Sequence, residues 1–217
     1  MAFDGVELET GLDPKAAFLW LHGLGADGND FAPLVPELVE AGWPPLRFVF
    51  PHAPIRPIGI NQGMRMRGWY DIASLDLRQG EDAAGISESV ETLEGLLQRE
   101  AERGLPAERV FLAGFSQGGA IALSTAIRQR KPVAGVIALS TYLPGVAAAA
   151  PDAVAQDIFM AHGSLDPIVP QTLGQHSAQR LRAAGHRLSW HSYPMGHQVC
   201  AEEIADLRRW LAARLPR

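Results

Sequence analysis

The chain has 217 residues, 47% of them hydrophobic, with 24 acidic and 19 basic side chains and a formal charge of -5. That is enough apolar material for a full core, and the lack of linkers or repeats predicts one domain over residues 1–217. Lys15 and Lys131 are the only lysines and the arginines are scattered, which leaves no footprint for a nucleic-acid partner. Residues 1–7 lack the apolar segment of a signal peptide and no apolar run reaches the length of a membrane span, so a cytoplasmic protein without stable membrane insertion is expected. Cys200 has no second cysteine to pair with, and its spacing to Ile204, Leu207 and Leu211 predicts a buried place on the apolar stripe of the last helix.

Along the chain, residues 6–10 read as an edge strand. Apolar runs at 18–21, 46–50, 110–113, 133–139, 158–161 and 188–192 read as buried strands. Helical patterns fall between them at 31–40, 82–103, 118–129, 171–184 and 200–215, the longest stopping at Gly104 with Pro106 just beyond. This alternation predicts an α/β fold, a mostly parallel central sheet with helices on both faces. Residues 51–68 are rich in proline and glycine yet carry Ile55, Ile58, Ile60, Met64 and Met66, and read as a long apolar loop.

Gly114-Phe115-Ser116-Gln117-Gly118 lies where the run at 110–113 meets the helix that follows. A G-x-S-x-G pentapeptide arises by chance in roughly one chain in ten of this composition, so its setting must carry the argument. A strand before it, a small-residue helix after it and flanking glycines are what a nucleophile elbow requires. Ser116 is therefore the candidate nucleophile, aimed upon by a helix N-terminus able to hold an oxyanion.

A serine hydroxyl needs a histidine to take its proton and a carboxylate to orient that histidine. In the α/β-hydrolase order both lie downstream, each after a strand. Asp166, in Gly163-Ser164-Leu165-Asp166-Pro167, follows the strand at 158–161; His197, in Pro194-Met195-Gly196-His197, follows the strand at 188–192. Parallel strands bring these ends to one sheet edge. Among the seven histidines, His162 is the closest rival base, but it precedes Asp166 in the same turn. His176, His186 and His191 read as solvated or on an exposed face, and His52 precedes the serine. Of the rival acids Asp71, Asp152 and Asp157, Asp71 precedes the serine and Asp157 opens its strand at the wrong end.

Gly23-Leu24-Gly25-Ala26-Asp27-Gly28 has the G-x-G-x-x-G form, but the next strand ends Phe50-Pro51-His52 without the acidic ribose ligand of a dinucleotide site. After His22, the run fits an esterase oxyanion loop instead, with Leu24 and Gln117 as the main-chain donors.

At Leu21-His22-Gly23-Leu24-Gly25, Pro51-His52-Ala53-Pro54 through Trp69-Tyr70-Asp71, Gly114-Phe115-Ser116-Gln117-Gly118-Gly119, His162-Gly163-Ser164-Leu165-Asp166-Pro167-Ile168-Val169-Pro170 and Gly196-His197, the chain resembles the phospholipase/carboxylesterase family of α/β hydrolases. The resemblance spans nearly the whole length. It implies a Ser116, Asp166 and His197 triad, an oxyanion hole at Leu24 and Gln117, a site without a lid domain, no metal or organic cofactor and, in several members, homodimers. The segment from Gly25 to Phe31 and the loop 58–67 look closer to bacterial carboxylesterases than to eukaryotic acyl-protein thioesterases. A serine carboxylesterase for short to medium acyl esters is the expected activity, with a lysophospholipase or thioesterase as the alternative. A non-catalytic binding protein of the same fold would normally lack a triad member. Met64, Met66 and Tyr142 are expected at the acyl site. Trp69 is a candidate there too, although packing alone would equally account for an aromatic at that position.

Overall fold

The computed structural model describes residues 3–74, 76, 77 and 79–216; Met1 and Ala2 of the N-terminal stretch lie outside the described residues. Strand β1 (Gly5–Glu9) is followed by β2 (Ala16–Leu21), a 3-10 turn over Ala32–Leu34 that runs into the four-residue α1 (Val35–Leu38), and β3 (Leu46–Pro51). The helix expected over 31–40 is cut to that size because Pro33 and Pro36 remove amide donors and Val39 is already extended.

The expected loop at 51–68 is largely a hairpin. Strands β4 (Ile55–Ile58) and β5 (Met64–Arg67) pair antiparallel, Ile55 opposite Arg67 and Ile58 opposite Met64. Its tight end is made by Gln62 and Gly63, both at positive φ. Helix α2 (Ala83–Glu102) follows, capped by Asp82, whose carboxylate accepts the Gly85 N–H at 2.9 Å. The remaining elements are β6 (Val110–Phe115), α3 (Gln117–Ala126), β7 (Gly135–Leu139), β8 (Asp157–Gly163), α4 (Gln171–Ala183), β9 (Arg187–Tyr193) and α5 (Ala201–Ala212).

Seven strands form one sheet in the order β1-β3-β2-β6-β7-β8-β9, parallel except for the edge strand β1. Each central strand is buried on both faces, which is why it reads as an unbroken apolar run. Ala17, Leu19 and Leu21 of β2 face the core shared with α2, α3 and α4, whereas Ala16, Phe18 and Trp20 face the core shared with α1 and α5. Helices therefore cover both faces, as expected, and the described residues include no separate lid domain. The parallel strands β2, β6, β8 and β9 end at one edge of the sheet, so the loops that follow them meet there.

Candidate active site

Ser116 joins β6 to α3 with φ 53° and ψ -120°. Such a backbone costs a non-glycine residue about 1–3 kcal/mol and persists only where its surroundings impose it. Here the Ser116 N–H donates to Leu139 O at 2.9 Å, and Thr141 Oγ1 donates to Ser116 O at 2.6 Å. The glycines are steric requirements. A Cβ on Gly114 would overlap the Gly118 main chain, one on Gly118 would overlap the Leu21 and His22 main chain, and one on Gly119 would stand 2.7 Å from Thr141 Cγ2. Removing those side chains lets α3 start directly behind the serine.

Asp166 and His197 come together beside this elbow. Asp166 Oδ1 accepts the N–H groups of Ile168 at 2.8 Å and Val169 at 2.9 Å, while Oδ2 lies 2.7 Å from His197 Nδ1. The carboxylate side chain is fully buried and the imidazole is 16% exposed. The Phe115 ring lies 4.7 Å from the His197 ring, which sets the imidazole against the residue next to Ser116. The two loops can meet because Gly163 has no side chain: a Cβ there would overlap the main chain of Met195 and Gly196. Among the described residues, neither the Ser116 hydroxyl nor His197 Nε2 is engaged in a hydrogen bond.

The rivals are engaged differently. His162 is fully buried, its Nε2 is 2.8 Å from Val169 O and 3.5 Å from Asp166 Oδ2, and burial holds its pKa below the usual histidine value. Asp71 accepts the Gly59 N–H, Asp152 pairs with Arg130, and Asp157 pairs with Arg187 at the opposite strand end. His176 is exposed as expected. His186, expected in solvent, is instead buried and accepts the Gln156 N–H at 3.1 Å, because the chain folds back directly after α4. His191, expected on an exposed face, is half-buried and stacks on Phe159 at 4.5 Å with Nδ1 3.4 Å from Asp206. Cys200 stands at the N-cap position of α5 and packs against the core that holds Ile204, Leu207 and Leu211, but it is half-buried rather than buried.

The loop after β2 lies against the elbow: a Cβ on Gly23 would stand 3.5 Å from Ser116 Cβ. Leu24 is half-buried, and among the described residues its N–H has no acceptor. Gln117 opens α3, so its N–H has no intrahelical partner. Its side chain is buried and doubly bonded: Oε1 accepts the Trp69 N–H and Nε2 donates to Tyr70 O, both at 2.7 Å.

The expected acyl-site residues separate into two groups. Trp69 and Tyr142 are buried, the latter with its hydroxyl 3.1 Å from that of Tyr70. Met64 is 64% exposed on the hairpin, and Met66 points back so that its Sδ is 3.7 Å from where a Gly25 Cβ would stand. Both methionines line an open groove of about 770 Å³ with Ile60 and Asn61. Leu165 and Ile168, which flank Asp166 and were not singled out from the sequence, are 70% and 60% exposed. Their exposed apolar character beside a buried carboxylate is the signal that would have drawn attention to them.

A doubly covered parallel sheet with a strained serine elbow at its carboxyl edge defines an α/β hydrolase. The sequence profile of the phospholipase/carboxylesterase family matches residues 7–215, so the chain belongs to that family and is a carboxylic ester hydrolase. It is 38% identical to acyl-protein thioesterase 1 of Neurospora crassa over 221 residues, 93% of this chain and 88% of the relative. The crystal structure of Arabidopsis thaliana SOBER1 superposes with a TM-score of 0.83 at 28% identity, covering 92% of this chain and 98% of that one. Zea mays acyl-protein thioesterase 2 superposes with a TM-score of 0.81 at 26% identity, covering 98% and 100%.

Proposed function

We propose that the chain hydrolyses acyl thioesters and the matching oxygen esters through an acyl-enzyme on Ser116. In this reading His197 Nε2 takes the hydroxyl proton as Ser116 Oγ attacks the carbonyl carbon, and Asp166 holds the imidazole and stabilises its cation. The N–H groups of Leu24 and Gln117 receive the oxyanion. The carbon–sulfur or carbon–oxygen bond then breaks, His197 returns the proton to the leaving group, and water, activated by the same imidazole, releases the acid. The observation that carries the reading is the 2.7 Å contact of His197 Nδ1 with Asp166 beside the strained serine.

Kinship favours the thioesterase alternative over the short- to medium-chain carboxylesterase expected from the sequence, since relatives at 38% identity are acyl-protein thioesterases by name. Exposed Leu165, Ile168 and Met64 at the same edge support an apolar acyl group as the recognised moiety. Thioester and oxygen-ester substrates of matched acyl chain decide between the two. The thioesterase reading expects higher kcat/KM for the thioester across medium and long chains; a preference for short oxygen esters returns the carboxylesterase.

A further inference from the structure

Trp69 is 1% exposed, and both of its N–H groups are taken by the two segments that carry the proposed oxyanion donors. The indole Nε1–H donates to the main-chain oxygen of His22 at 2.9 Å, and the main-chain N–H donates to Gln117 Oε1 at 2.7 Å. One residue at the foot of the β4–β5 hairpin thus ties the loop after β2, through its side chain, to the first turn of α3, through its main chain. Each of these bonds joins residues 47 or 48 positions apart.

His22 continues the arrangement to the other donor. The Ala53 N–H donates to His22 Nε2 at 3.1 Å. A main-chain amide only donates, so Nε2 is the acceptor and the ring proton sits on Nδ1, which donates to Gly23 O at 2.7 Å. The carbonyl and the N–H of a trans peptide point in opposite directions within one plane. Fixing the Gly23 carbonyl therefore aims the Leu24 N–H to the opposite side, where no acceptor among the described residues takes it. Burial holds the His22 pKa down and keeps the ring in the neutral form this pattern requires.

We propose that Trp69 and His22 are positioning residues that hold the Leu24 and Gln117 amides in register as a single oxyanion hole. The inference rests on the acyl-transfer reading above. Neither side chain touches the substrate; each acts through a main-chain group.

The test is Trp69→Phe, which keeps an aromatic ring in the site but is smaller than the indole and lacks its N–H, measured beside His22→Gln, which keeps an acceptor near Nε2 for Ala53 and deletes the Nδ1 donor to Gly23 O. The probe is an alkyl trifluoromethyl ketone, whose carbonyl carbon accepts Ser116 Oγ while the hydroxyl proton passes to His197, leaving the hemiketal oxygen as the oxyanion. For Trp69→Phe we expect kcat to fall about ten- to a hundredfold with KM within about twofold, and trifluoromethyl ketone affinity to fall by the same factor as kcat/KM. His22→Gln moves the same two quantities together, and serves alone if the first variant does not fold. Unchanged kcat in a folded variant, or a loss confined to KM, or ketone affinity that stays constant while kcat falls, overturns the brace. If Ser116→Ala retains wild-type turnover, the acyl-transfer reading itself fails; if Ser116→Ala is inactive and Trp69→Phe is normal, only the brace fails.

Discussion

His197 Nδ1 lies 2.7 Å from one oxygen of Asp166, whose other oxygen is already committed to the N–H groups of Ile168 and Val169. The carboxylate is therefore fixed before it meets the imidazole, and it can only accept. In Asp166→Asn the oxygen keeps the two main-chain bonds, which leaves the amide nitrogen facing His197 and favours the tautomer with its proton on Nε2. Turnover is expected to drop on the order of ten-thousand-fold with the fold intact, read from kcat and the far-UV spectrum together. A loss of less than about tenfold in a folded protein contradicts this role.

Glu203, in the first turn of α5, is fully buried and neither carboxylate oxygen is hydrogen-bonded. Burial, opposed in part by the Cys200 main chain, pushes its pKa up to about 8 from the ordinary 4.5. Between those values the unfolded chain has released the proton that the folded chain still holds, so this group lowers stability as pH rises. Glu203→Gln removes the effect. Its gain in stability is expected to be near zero at about pH 4 and to grow to a few kcal/mol at about pH 8, measured by urea unfolding at each pH. A gain that does not vary with pH contradicts the assignment.

Much of this molecule was legible in the sequence, and the reasons can be named. The strands are continuous apolar runs because both sheet faces are covered, and Gly114, Gly118 and Gly119 announce the elbow because any Cβ there collides. The hairpin was hidden because its proline and glycine content outweighed the two-residue alternation of Met64-Arg65-Met66-Arg67. Local pattern also could not reveal that Trp69 bonds His22 and Gln117, or that His186 folds back onto Gln156, since these pairs are distant in the chain.

Glu100, in the last turn of α2, is fully buried among three arginines, accepting from Arg47 at 2.7 Å, Arg103 at 2.9 Å and Arg99 at 3.3 Å. The same arginines hold Glu7 and Glu9 of the edge strand β1. Glu100→Ala leaves these cations without their buried partner and is expected to cost about 3 kcal/mol, seen as a lower urea midpoint. Because Arg47 lies at the start of β3, away from the catalytic edge, kcat per folded molecule should hold at the wild-type value. An equal fall in kcat contradicts that separation.

Met66 and Met64 differ in what they touch. Met66 Sδ lies by the Gly25 turn of the proposed oxyanion loop and accepts from Asn61 Nδ2 at 3.4 Å, whereas Met64 is 64% exposed. Each methylene entering an apolar site changes discrimination by about 1–3 kcal/mol, so Met66→Ala is expected to move the optimum in an acyl-chain series while Met64→Ala moves it less. A uniform loss at every chain length, with a lower melting temperature, would remove this hairpin from the acyl site.

Covalent labelling measures directly whether Ser116 is the nucleophile. The wild-type chain is treated with a small alkyl organophosphonate, its intact mass is recorded, and the modified peptide is mapped, with Ser116→Ala run in parallel. One adduct per chain on Ser116, loss of activity in step with labelling, and no adduct on the alanine variant are expected. An adduct elsewhere, or full activity in a protein labelled at Ser116, would contradict that role.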